Sequence, residues 1–303
     1  GTAVNIKANT AAMDLSARIR MFLEIIKFKI TILVSLTTGL GYILASEKMT
    51  LDMFYPIAGI FLLACSASAL NHYQERTTDS LMKRTSSRPI PSGRIEASTV
   101  LIISVLLLMA GTGILAEKTN LLTLGVGYLT FLWYNGIYTP LKKITAWAII
   151  PGSIVGALPP IAGWAAAGGS VFDPRILIIA TYFFIWQIPH FWLLLMLYSD
   201  DYEKGGFPTL TKIFNIQQLK RITFIWLVTT VLIALIIPMF GVVNFAFSNI
   251  LLFIISGWMI YISVVFMRSD AGRKQVVNSF LSINFYTLLL ITILSLDKFI
   301  RLI

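Results

Sequence analysis

Cysteine, histidine and charge are all scarce in this chain. Its 303 residues hold one cysteine, Cys65, and two histidines, His72 and His190. One cysteine cannot close an intrachain disulfide, and no thiolate metal cluster can be built from it. Only 13% of residues are charged, against the roughly 25% usual in soluble domains, while 57% are hydrophobic. Mean hydropathy is +0.81. These shortages exclude a soluble globular domain and describe an integral membrane protein. Soluble-domain signals, low-complexity tracts and short-period repeats are also missing.

What is present is a series of apolar runs. Spanning a bilayer takes roughly 20 mostly apolar residues. Nine runs qualify, at about 28–46, 53–71, 98–116, 120–138, 146–166, 174–198, 221–240, 247–267 and 277–296. The run 146–166 contains Pro151, Pro159 and Pro160, so a kink or break is expected there. Residues 1–27 read as a polar, basic segment with no small-residue cleavage site, so a removed signal peptide is not expected. The chain does not begin with Met, which points to a processed or engineered start. One transmembrane domain over 28–303 follows.

With nine spans the termini fall on opposite sides. Placing the N-terminus inside puts nineteen of the twenty-four Lys and Arg, among them Lys7, Lys27, Arg76 and Lys142, on the inner side. The positive-inside rule therefore predicts a cytoplasmic N-terminus and an outer C-terminus. Both long connections, about 72–97 and 199–220, fall on the cytoplasmic side and mix acids with bases. Function is expected there.

The first of these begins where an apolar run stops at Leu70. Asn71, Glu75 and Asp79 follow four residues apart, and on a helix they drift only about 80° over two turns, so they share a face. An amide oxygen and two carboxylates are hard ligands suited to magnesium. Arg76, Lys83, Arg84, Arg88 and Arg94 come next, which suits a diphosphate bridged by that metal. The plain reading of such an end is a solvated, snorkelling helix terminus. The second connection carries Asp200 and Asp201 ahead of Gly205-Gly206, either an acidic helix terminus or a second metal-binding pair. Tyr138 and Lys142 lie at the inner end of span four, as interfacial anchors or as phosphate ligands. Within span six lies Trp186-Gln187-Ile188-Pro189-His190-Phe191-Trp192. A polar side chain inside a span is a functional candidate by default. His190 is either a kink residue paired with a carbonyl or a contact to a large aromatic acceptor. His72, among the acids, is a second candidate of that kind.

At these positions the chain resembles the UbiA superfamily of intramembrane prenyltransferases, and most closely its haem-farnesylating branch. The superfamily motif N-x-x-x-D-x-x-x-D reads here Asn71, Glu75, Asp79, with Glu75 one methylene longer than the usual Asp. Met82 to Arg94, Tyr138 to Lys142, Gly152 to Gly163, Pro189-His190-Phe191-Trp192 and Asp200-Asp201-Tyr202 carry the rest of the likeness. It implies an all-α, nine-helix bundle around a cavity open to the cytoplasm and to lipid. It implies farnesyl diphosphate as donor, haem B as acceptor, haem O as product and Mg2+ as cofactor. Asn71, Glu75, Asp79, Asp200 and Asp201 would hold the metal. Arg76, Lys83, Arg84, Arg88, Tyr138 and Lys142 would hold the diphosphate. His190, Trp192 and His72 would face the haem, with iron ligation by His190 as the sharper reading. Expected partners are membrane lipid and haem A synthase or terminal-oxidase assembly proteins, with no nucleic acid, and the expected location is a bacterial plasma membrane. A quinone-precursor or lipid prenyltransferase, a cation-binding transporter and a structural assembly subunit are the competing readings. Transporters usually place their charges near the bilayer midplane, whereas nearly all acids here lie at span ends.

Overall fold

The computed structural model describes residues 13–303; Lys7 and the remainder of residues 1–12 lie outside the described residues. Helices make up the structure, and no strand occurs among the described residues. They are α1 (Leu15–Ile25), α2 (Phe28–Ala45), α3 (Phe54–Gln74), α4 (Arg76–Leu81), α5 (Ala97–Lys118), α6 (Leu121–Leu132), α7 (Thr139–Leu141), α8 (Ile149–Gly152), α9 (Ile154–Ala166), α10 (Pro174–Lys204), α11 (Ile216–Ile236), α12 (Ala246–Arg268) and α13 (Arg273–Leu302).

Among the described residues, eight helical stretches are long and apolar enough to cross a membrane. They correspond to eight of the nine expected runs. The run at 120–138 is not one of the eight, because its helix changes type: α6 passes directly into a π-helical turn, Trp133–Tyr138, and then into α7. The expected break in the fifth run falls at Ser153, between α8 and α9, while Pro159 and Pro160 stay inside α9. The N-terminal segment is more than a polar lead. Asp14 caps α1 through the Ala17 N–H at 2.7 Å. Met21 and Ile25 of that helix then pack with Ala69, Ile95 and Val100.

Helix α9 sits centrally, against α2, α6 and α10. Small residues let it do so. A Cβ on Gly163 would collide with the Thr38 carbonyl, and one on Gly41 with the Pro160 carbonyl. Without a hydrophobic driving force between helices in lipid, such close backbone approach supplies the dispersion contacts. A large core gathers Tyr182, Phe183, Trp186, Leu227, Val231, Met259, Tyr286 and Leu290 from α10 to α13. Leu106, Ile225 and Phe253 project outward, as a lipid-facing surface permits.

Gly163→Ala should therefore destabilise the protein by about 1–3 kcal/mol through overpacking. Gly125→Ala, where an added methyl meets nothing within 4 Å, should leave stability unchanged or slightly raised. Unfolding of the two variants in detergent would compare them directly.

Candidate active site

Helix α3 ends at Gln74 because the backbone leaves helical geometry at Glu75 (φ −98°, ψ 6°), and α4 restarts at once. The offset does not scatter the three polar positions. Asn71, Glu75 and Asp79 are 0%, 5% and 0% exposed. Buried carboxylates must be paired, and each position has its own cation. Lys27 Nζ donates to Asn71 Oδ1 at 2.6 Å. Lys142 forms an ion pair with Glu75. Arg88 Nη1 donates to Asp79 Oδ2 at 2.8 Å.

Lys27 was read from sequence only as an inner-side positive charge. Structurally it is the N-cap of α2 in the left-handed region (φ 50°, ψ 54°), a conformation uncommon for a residue with a Cβ. That turn aims its ammonium inward, where it also donates to the Tyr134 hydroxyl at 3.2 Å. Burial and the neighbouring Arg88 cation lower its pKa to about 7. Burial alone would raise the Glu75 carboxyl, but Lys142 and Lys27 outweigh it and hold the group below its ordinary value. Asp79 goes the other way: burial raises it in spite of Arg88. Burial would lower Lys142, yet Glu75 raises it above the usual lysine range.

The π-helical turn sets up the opposite wall. Its wide turn places both Tyr134 and Tyr138 on the cavity, with ring centroids 6.0 Å apart. Polar side chains clasp it to α3. Asn135 Nδ2 donates to the Ala67 carbonyl at 2.9 Å and to Gln74 Oε1 at 3.0 Å, and Gln74 Nε2 donates back to the Asn135 carbonyl at 2.8 Å. Asn71 Nδ2 donates to Thr139 Oγ1 at 3.2 Å. π-Turns inside helices often mark functional sites.

A cavity of about 340 Å³ lies between these walls. Of the residues singled out from sequence, Glu75, Asp79, Arg84, Arg88, Tyr138, Lys142 and Trp192 line it; Lys27, Tyr134 and the loop residues Tyr202 and Phe207 join them. Its remaining walls are largely apolar, including Ile60, Leu63, Phe131 and Phe191.

Other expected residues are engaged elsewhere. Asp201 uses both carboxylate oxygens to accept the Lys83 and Arg84 backbone N–H groups, at 3.1 and 2.8 Å. Asp200 is exposed. Neither lines the cavity, and among the described residues no three His, Cys, Asp or Glu side chains gather as a metal cluster. The expected convergence of all four carboxylates on metal is therefore not present. Arg76 turns back to the Tyr73 carbonyl (2.6 Å) and stacks on that ring, and Lys83 is exposed. His72 Nε2 meets the Glu24 carbonyl at 3.1 Å, which ties α3 to the end of α1 instead of facing a ligand. His190 packs toward α13, beside the cavity and not on its lining.

Asp79 Oδ1 is buried with no hydrogen-bond partner, while its other oxygen takes Arg88. Magnesium is commonly held by one or two carboxylates plus substrate phosphates and water. Glu75 and Asp79 line the cavity and fit such a site when the phosphates supply the remaining ligands, whereas Asn71, fully buried and held by Lys27 and Thr139, does not line it.

Removing one member of a buried ion pair leaves an uncompensated charge, at about 3–5 kcal/mol. Lys142→Met should thus destabilise the protein by about that amount, and Glu75→Gln in the same chain should restore most of it. Unfolding of the single and double variants measures both effects.

The sequence pattern of the UbiA prenyltransferase family matches residues 33–286. A protoheme IX farnesyltransferase from Oleidesulfovibrio alaskensis is 33% identical over 219 residues, covering 72% of this chain and 77% of the relative. A solved structure of a digeranylgeranylglyceryl phosphate synthase superposes with TM-score 0.73 at 15% identity, covering 93% of this chain and 99% of the other. A UbiA homologue from Archaeoglobus fulgidus bound to GPP and Mg2+ gives 0.68 at 14% identity, with the same coverage. The chain belongs to the UbiA prenyltransferase family.

Proposed function

We propose that this protein transfers the farnesyl group of farnesyl diphosphate to a vinyl group of haem B, giving haem O and diphosphate. The observation that carries this reading is the cavity itself: paired charges of both signs at one end, apolar and aromatic walls beyond. That polarity matches an isoprenoid diphosphate. The protoheme IX farnesyltransferase relatives, 31–40% identical over most of the chain, support haem as the acceptor.

Glu75 and Asp79 would hold Mg2+, with the Asn71 amide positioning Lys27 beside them; a UbiA homologue bound to GPP and Mg2+ supports the use of that metal, which when bound would neutralise charge developing on the departing diphosphate. Lys142, Arg88, Arg84 and Lys27 present their donors to the same oxygens. Such stabilisation acts where charge builds in the transition state. The allylic C–O bond breaks with its electron pair leaving on diphosphate. A haem vinyl carbon attacks the farnesyl carbon, water adds to the resulting cation, and a proton is released. The apolar walls keep bulk water from the first cation. Trp192 faces that space, where its ring can stabilise positive charge. Asp201 serves the site by holding the Lys83–Arg84 backbone, which fixes Arg84 at the cavity. Arg76 and Lys83 keep an outer role, attracting diphosphate to the entrance, while Asp200 is exposed outside the cavity.

The architecture fits nine spans, because residues 121–141 form one continuous helical path even though its type changes. In this arrangement residues 13–27 lie on the cytoplasmic face of a single domain, 28–303. The cavity opens to the cytoplasm through the connections 72–97 and 199–220 of a plasma-membrane protein, with the C-terminus outside. Haem A synthase or oxidase-assembly proteins would collect the product.

Asp79→Ala should lower haem O formation from haem B, farnesyl diphosphate and magnesium by about 100-fold or more. Product mass identifies haem O; near-wild-type turnover would sink the assignment, and a prenylated lipid or quinone precursor would replace haem as acceptor.

A further inference from the structure

His190 lies inside the membrane-spanning helix α10, yet its side chain is only half-buried. On the helix surface it falls about 60° from Gln187 and 40° from Leu194, and both of those line the cavity. Its Nδ1 is 2.7 Å from Asn284 Oδ1 of α13. An amide oxygen only accepts, so Nδ1 carries the proton and Nε2 is left with its lone pair. Nε2 has no hydrogen-bond partner among the described residues and is not a fully buried orphan. The ring is held between Trp186 and Phe280, with centroids 5.1 and 4.8 Å away and planes tilted by 39° and 31°.

A fixed tautomer, a bare Nε2 and a clamped ring are what a metal-ligating histidine requires, its other N–H being given to a carbonyl or carboxylate. We propose that Asn284 is a positioning residue that holds His190 ready to bind the iron of the haem acceptor through Nε2. This rests on haem being the acceptor. His190 stands beside the cavity through Gln187 and Leu194, its neighbours on the helix surface. Positioning His190 also accounts for a polar Asn in the middle of α13, which is otherwise costly in a span.

The test is a titration of the purified full-length protein with haem B, read by the Soret band, together with KM values for both substrates. Wild type should show a histidine-ligated spectrum, and His190→Ala should lose it. Asn284→Leu should weaken haem affinity by about tenfold and raise KM for haem B, with KM for farnesyl diphosphate unchanged. Asn284→Asp, which restores an acceptor for Nδ1–H, should recover the spectrum. Retained farnesyl diphosphate binding shows that a variant is folded. A wild-type spectrum and affinity in His190→Ala, or in Asn284→Leu, overturns the proposal while leaving haem as the acceptor. Failure of wild type to take up haem B at all overturns both.

Discussion

A carboxylate at the edge of a membrane must be neutralised before it can be buried. Here that requirement joins distant parts of the chain. Glu75 and Asp79 are buried, and the cations that make this tolerable arrive from the residue after α7 and from the loop after α4. Asn71 draws in a third cation from the junction of α1 and α2. Three helix ends and a connection therefore meet at one point because charge has to be balanced there. The helices beyond meet mainly through apolar packing and close glycine contacts, with a few buried hydrogen bonds such as Tyr182–Thr287.

Such an arrangement has a chemical use. In the resting protein the acids and bases satisfy each other. A metal-bound diphosphate, carrying both signs, would offer each group a new partner without leaving the other stranded. The apolar remainder of the cavity then accepts what is attached to the phosphate. Binding polarity and reaction polarity coincide: the end that holds charge is the end at which charge develops.

Much of this was legible in the sequence. Apolar run length gave eight of the nine expected spans, and the four-residue spacing of Asn71, Glu75 and Asp79 gave the acid face, which survived even the irregular turn at Glu75. Arg88 was found because bases beside acids are visible in one dimension, whereas Lys142 stood out only as a base at the end of a span, and its pairing with Glu75, 67 residues away, was not visible. Lys27 was not, since a lysine before a span looks like any positive-inside anchor and only its left-handed backbone turns it inward. Asp201 was left between two roles for a related reason. An acid beside a glycine pair reads equally as a metal ligand or as a cap, and the backbone it caps is more than a hundred residues away in sequence. The π-turn was hidden because Trp133 to Tyr138 has no composition that separates it from ordinary helix. Asn284 could have been flagged as a polar residue within a span, but its partner could not.

That turn has a consequence for how the family can vary. A π-turn holds one residue more than the α-helix around it, and one residue is worth about 100° of rotation to everything beyond it. Lys142 lies just past it and Tyr134 within it, so the two face the same cavity only while that extra residue is kept. The site is thus keyed to chain register as much as to residue identity. A single deletion between Trp133 and Tyr138 would preserve nearly every side chain discussed here and still turn Lys142 away from Glu75.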